Sequence, residues 1–197
     1  MTDAPILIEK NSLSLFDKFQ QEIEALNGHA YLTSNTTEIA HRIVAIAEKS
    51  NSRRVVKQKL RVTNEELIKA ELDRAGIEVT EINGPDAPLN LLSNTDLAIT
   101  PADLFVAWTG SIVIATNYDA ERLISCLPRV HVAVGSIKNL VYTPKDATKF
   151  IREQLNKSTA FAISFISGPS RTSDIEMKPT FGVHGPHEVH AILLQAE

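Results

Sequence analysis

Residues 30–82, AYLTSNTTEIAHRIVAIAEKSNSRRVVKQKLRVTNEELIKAELDRAGIEVTEI, decide the fold class. Ala30-Tyr31-Leu32-Thr33 reads as a short strand, and Asn35 with Glu38 three residues on has the form of a capping box that opens a helix through about Lys49. Arg53 to Lys57, around Val55-Val56, is a second strand. Thr63 with Glu66 repeats the cap signal before a helix that stops at Gly76, and Ile77-Glu78-Val79-Thr80-Glu81-Ile82 alternates with period two as a third strand. A strand-helix-strand-helix-strand run points to a parallel sheet, because each helix carries the chain back to start the next strand in the same direction.

Upstream, Leu13, Leu15, Phe16, Phe19, Ile23 and Leu26 form a helical stripe that ends before Asn27-Gly28. Residues 1–28 are therefore expected as an amino-terminal helical extension and 29–197 as a single α/β domain. Downstream of the turn-rich Gly84-Pro85-Asp86-Ala87-Pro88, short apolar strands are expected at Asp96–Ile99, Leu104–Trp108 and Ser111–Thr116, the last two joined as a hairpin by Thr109-Gly110. A short helix at Glu121–Leu127, a strand at Val130–Val134, a helix at Pro144–Leu155 capped by Thr143, a strand at Phe161–Ile166 and a terminal strand at Glu188–Leu194 complete the pattern. The expected architecture is α/β: a mostly parallel central sheet with helices on both faces and an antiparallel hairpin.

The chain has 197 residues, 43% hydrophobic and 22% charged, with a formal net charge of −4. That is the composition of one globular core, and the acidic balance argues against a nucleic-acid or anionic-membrane surface. No internal repeat or low-complexity tract is present, and no apolar run reaches the roughly 18 residues of a membrane span. The start, Met1-Thr2-Asp3-Ala4-Pro5, lacks the basic and apolar segments of a signal peptide, so a cytoplasmic location is expected. Cys126 is the single cysteine, which leaves no thiolate set for an iron–sulfur cluster or structural zinc in this chain. Flanked by Leu123, Ile124 and Leu127, it reads as a small core residue. Arg53-Arg54 and Lys57-Gln58-Lys59 read as a solvated surface beside a strand.

In parallel sheets ligands sit on loops at the carboxyl ends of strands, so loop chemistry carries the functional reading. The richest loop is Ser167-Gly168-Pro169-Ser170-Arg171-Thr172-Ser173-Asp174-Ile175-Glu176. Its hydroxyls, one guanidinium, run of N–H groups and flexible Gly168 suit a phosphate or carboxylate; the same residues also suit an ordinary polar turn. Gly182-Val183-His184-Gly185-Pro186-His187-Glu188-Val189-His190 places three imidazoles within seven residues. On a strand His190 shares a face with Glu188 while His187 points the other way, a poor metal spacing, so no metal is expected; one histidine, His184 first, is a candidate for hydrogen bonding or acid–base work. Trp108-Thr109-Gly110-Ser111 is a third polar step where backbone N–H groups can approach a ligand, or a plain hairpin turn. Thr109-Gly110-Ser111, Ser167 to Glu176 and His184-Gly185-Pro186 are expected to converge at the carboxyl end of the sheet, their glycines admitting the ligand.

At these residues the sequence resembles the LUD domain family, the lactate-utilisation protein C group. Ser167 to Glu176 followed by Gly182-Val183-His184-Gly185-Pro186 and a terminal apolar strand is similar to the family signature. Ile99-Thr100-Pro101-Ala102-Asp103, Thr109-Gly110-Ser111 and Leu127-Pro128-Arg129-Val130-His131-Val132 match in order and spacing. The family usually has Glu before its Thr-Gly-Thr step; here Trp108 stands there, with Ser111 for the second threonine. Trp108 is expected to fill core beneath the hairpin, with stacking on a ligand as the alternative.

The resemblance implies a fold similar to the NagB/RpiA/CoA-transferase-like group. It also implies an accessory role in oxidation of L-lactate to pyruvate, binding an organic anion or phosphate-bearing ligand and acting with partner proteins that carry the iron–sulfur clusters. The ligand-binding candidates are Thr109, Gly110, Ser111, Ser167, Gly168, Ser170, Arg171, Thr172, Ser173, His184 and Gly185. The alternative is an independent enzyme of the CoA-transferase or phosphosugar-isomerase class, whose carboxylate would come from Asp174, Glu176 or Glu188, with His184 as a further acid–base candidate.

Overall fold

The computed structural model describes residues 12–85, 89–156, 162–173, 179–181 and 184–195. In chain order its elements are α1 (Ser12–Ala25), β1 (His29–Thr33), α2 (Thr36–Lys49), β2 (Arg54–Lys57), α3 (Glu66–Arg74), β3 (Glu78–Glu81), α4 (Leu89–Ser93), β4 (Leu97–Pro101), β5 (Leu104–Val106), β6 (Ser111–Thr116), α5 (Asp119–Ile124), β7 (Val130–Ser136), β8 (Leu140–Val141), α6 (Thr148–Leu155), β9 (Ala162–Ile166), β10 (Arg171–Ser173), β11 (Pro179–Phe181) and β12 (Glu188–Leu194). Six strands form one sheet in the order β1-β12-β7-β4-β2-β3, and every pairing in it is parallel. The α/β fold with a mostly parallel central sheet is thus present.

The expected hairpin is there as well. β5 and β6 pair antiparallel, but they belong to a second sheet, ordered β8-β5-β6-β9. Alternation along each parallel strand assigns the two faces. Val130, Val132 and Val134 of β7 join Leu97, Ile99, Ile192 and Leu194 against Ile39 and Ile43 of α2 and Ile68 and Leu72 of α3. Ala133, Val189, Ala191 and Leu193 look the other way, onto Phe105, Ile112 and Ile114 of the second sheet.

The amino-terminal helix, expected as an extension, places Phe16, Phe19 and Ile23 in that second cluster, with Phe19 meeting the Phe105 ring edge-on at 5.4 Å. Burying three such side chains is worth about 1.5–3 kcal/mol each, so α1 is part of the core. It ends in a Schellman turn: Gly28 N–H donates to Ile23 O (2.9 Å) and Asn27 N–H to Glu24 O (2.9 Å), with Asn27 left-handed at φ +63.

Helix starts differ in how far local signals governed them. Asn35 caps α2 by accepting from Glu38 N–H, while the Glu38 carboxylate reaches back to Ser34 N–H at 2.8 Å. Thr63 does not cap α3: the helix begins at Glu66, and Glu65 fills the cap position without a side-chain bond to the helix. α6 begins at Thr148, after a turn in which Thr143 N–H and Oγ1 donate to Asp146.

Candidate functional site

The polar segments singled out by sequence come together, at the opposite edge of the sheet from the one expected. Ser111 Oγ lies 2.7 Å from Ser167 Oγ and 2.7 Å from Thr109 Oγ1, so a chain of three hydroxyls links the start of β6 to the loop after β9. Ser170 N–H donates to Pro186 O at 2.9 Å, and the Ser170 side chain sits over Gly185. Pro186 stands two residues before β12, and Leu26, which touches Gly168, stands three before β1. The cluster therefore lies at the amino edge of the six-stranded sheet. The cause is the second sheet: β9 runs antiparallel to β6, and the segment leaving it must return to the beginning of β12.

Gly110 and Gly168 do admit a close approach, but what approaches is α1 and the turn that ends it. A Cβ on Gly110, a left-handed residue at φ +57, would stand 2.7 Å from the Glu22 carbonyl carbon; one on Gly168, at φ +86, would stand 2.6 Å from Leu26 O. The Arg171 guanidinium donates to the same Leu26 carbonyl at 2.8 Å. His184 is exposed. The backbones of Thr172 and Ser173 pair with Thr180 and Pro179 in a two-stranded ribbon; Asp174 and Glu176 lie outside the described residues.

Trp108 does not fill core beneath the hairpin. It sits in the short 3-10 turn Ala107–Thr109 between β5 and β6, is 57% exposed and leans on Tyr142 with ring centroids 5.9 Å apart. The turn lifts the side chain out because Gly110 needs its left-handed conformation to start β6 against α1. Cys126 is likewise exposed: α5 ends at Ile124, so the cysteine falls on the turn after it.

At the carboxyl edge the strand order reverses between β2 and β4, the usual crevice for a ligand in such sheets. The loop after β2 closes over it. Leu60 is buried there, and the exposed Arg61 pairs with the buried Asp103 carboxylate, which also accepts from Ala115 N–H at 2.7 Å. Lys57, expected on a solvated surface, is 1% exposed. Its ammonium lies 3.1 Å from Glu81 and 3.5 Å from Glu65, and Glu65 in turn accepts from Leu60 N–H. Sequence reasoning missed this triad because Lys57 looked like one more member of a basic run. The available signal was that Lys57 ends a strand and Glu81 ends its neighbour, two positions that pair in register.

The histidine that gathers partners is His190. It shares a face with Glu188, as the strand pattern implied, at 3.4 Å from its carboxylate. The carboxylate can only accept, which assigns the proton to Nε2 and leaves Nδ1 to accept from the Tyr31 hydroxyl at 3.4 Å. Burial, then the neighbouring His29 ring stacked at 4.9 Å, push the His190 pKa down to about 4. Burial raises the Tyr31 phenol above its ordinary value, against the opposing pull of Arg42, whose guanidinium stacks 4.4 Å over the ring. Both groups are thereby held neutral near pH 7. Among the described residues no group of three or more His, Cys, Asp or Glu side chains is arranged to hold a metal ion, and no helix is long and apolar enough to cross a membrane.

Comparison with known proteins agrees with this architecture. The family model described as LUD domain matches residues 16–194. "Lactate utilization protein C" of Anoxybacillus flavithermus is 32% identical over 123 residues, covering 62% of this chain and 54% of that protein. The protein of the same name from Geobacillus sp. strain WCH70 is 31% identical over 108 residues, 54% of this chain and 45% of that protein. The chain thus spans about half the length of the curated relatives it matches. The crystal structure of a DUF162 family protein from Deinococcus radiodurans superposes with a TM-score of 0.65 over 93% of this chain and 98% of that one, at 16% identity, which shows a shared fold.

Proposed function

Because the chain belongs to the LUD domain family, we propose that it serves lactate utilisation as an accessory component that binds a small organic anion, such as a 2-hydroxy- or 2-oxo-carboxylate, and works beside partner proteins carrying the redox centres. The observation that carries this reading is the 2.7 Å contact between Ser111 and Ser167, which joins two segments of family-like sequence 56 residues apart into one hydroxyl-rich corner. Arg171 supplies its positive charge and Ser170 and Gly185 its rim. Hydroxyls and a guanidinium on one corner match a carboxylate, which accepts several hydrogen bonds in a plane. The single cysteine fits a chain whose partners hold the clusters.

Isothermal titration with L-lactate, pyruvate and sulfate tests this. Arg171 is exposed, so saturable binding that weakens about twofold to fivefold in Arg171→Ala supports it, as expected for loss of a solvent-screened charge contact. Binding of these anions that is indifferent to Arg171 and Ser167 refutes the site.

A further inference from the structure

Three members of the same corner are turned toward the end of α1, and their geometry has one economical explanation. The last carbonyls of a helix lack intrahelical partners and carry the negative end of its dipole. In the Schellman turn of α1, the Ile23 and Glu24 carbonyls are taken by Gly28 and Asn27 N–H, and the Leu26 carbonyl, inside that turn, faces the corner. That carbonyl receives the Arg171 guanidinium at 2.8 Å and rests against the open face of Gly168, where a Cβ would stand 2.6 Å from it. One helical turn back along α1, Gly110 admits the Glu22–Ile23 backbone in the same way. A partly negative oxygen on a guanidinium, pressed against a left-handed glycine, is the arrangement an anion's oxygen would adopt there.

We propose that the carboxyl-terminal turn of α1 is an internal stand-in for the anion: the Leu26 carbonyl occupies the Arg171–Gly168 corner, and an entering carboxylate must displace it. The inference rests on the anion-binding reading above and adds its regulation. The whole helix need not move. Phe16, Phe19 and Ile23 stay in the core, while Leu26, half-buried, and the left-handed Asn27 at φ +63 let go. The latch and the ligand compete for one guanidinium, so the affinity for the anion falls by the factor with which the closed turn outweighs the open one.

Asn27 sets that factor without touching the corner. A left-handed conformation is easy for glycine, tolerable for asparagine and costly for a β-branched residue. Asn27→Gly should tighten the latch and weaken sulfate and L-lactate binding severalfold; Asn27→Val should loosen it and strengthen binding about fivefold to tenfold. Amide hydrogen exchange supplies a second readout: saturating sulfate should speed exchange at Asn27 and Gly28 and leave Phe19 unchanged. Anion binding that depends on Arg171 but is equal in both Asn27 variants, with Asn27 and Gly28 still protected, overturns the latch while the anion site stands. Absence of saturable binding in the wild type and in Asn27→Val overturns the site, and the latch with it.

Discussion

Thr100 Oγ1 lies 2.9 Å from His131 Nε2 inside the layer between the two sheets, where His131 is fully buried and its Nδ1 has no partner among the described residues. Burial, reinforced by His190, pushes the His131 pKa down to about 3. A histidine held neutral in this way makes stability depend on acid in a defined direction. Unfolded chains take up the proton near pH 6.5, whereas the native ring resists until about pH 3, so the stability is complete above about pH 6.5 and is lost as the pH falls from there toward 3. His190, pushed down to about 4, acts over the same window. Urea unfolding at pH 7 and pH 5 should show a loss of roughly 2 kcal/mol per histidine, and His131→Asn should remove about half of that dependence. A midpoint indifferent to pH over this range contradicts the assignment.

Lys57 neutralises two carboxylates that would otherwise face each other. Lys57→Met should destabilise the protein by about 2–4 kcal/mol, below the figure for a wholly buried pair because Glu81 is partly exposed. Adding Glu65→Gln and Glu81→Gln should recover much of the loss. Chemical denaturation of the single and triple variants checks this; equal stability of the single variant and wild type would show that the triad contributes nothing.

Gly110 and Gly76 separate crowding from strain. Both have positive φ, but a Cβ on Gly76 meets nothing within 4 Å while one on Gly110 meets α1 backbone. Gly76→Ala should cost about 1–2 kcal/mol, the price of a left-handed alanine. Gly110→Ala should cost at least a further 1–3 kcal/mol, read as the difference in unfolding free energy. Matching losses would mean that α1 yields freely.

Cys126 is exposed. One thiol per chain should react with a water-soluble disulfide reagent in the native protein, at a rate unchanged by denaturant below the unfolding transition. Reaction only after unfolding would place the thiol inside.

Where local chemistry and global fold agreed, the sequence was legible. The apolar stripe of α1, the Asn35 cap, the helix stop at Gly76 and the terminal apolar strand β12 are each settled within a few residues, and each matches the structure. The exceptions are residues whose surroundings arrive from far along the chain. Lys57 is buried because β3 brings Glu81 beside it, and Trp108 is exposed because α1 forces the turn at Gly110. The polar corner has its place at the amino edge because β9 joins a second sheet, something strand periodicity does not reveal. At the corner itself the residue types were readable, while their present neighbour, the Leu26 carbonyl, was not: no pattern in Ser167 to Arg171 announces a helix end 145 residues earlier.

The position of β12 between β1 and β7 has a kinetic consequence. β1 pairs with residues 190–194 and β7 with residues 188–194, so the first strand has no place in the sheet until the last one arrives. Contacts of such sequence separation make for slow closure. Until it happens, a chain emerging during synthesis displays an unpaired edge on β7 and a β1 with no strand partner, either of which any extended apolar segment could pair with. Assembly of this protein is therefore most exposed to mispairing just before its final strand is inserted.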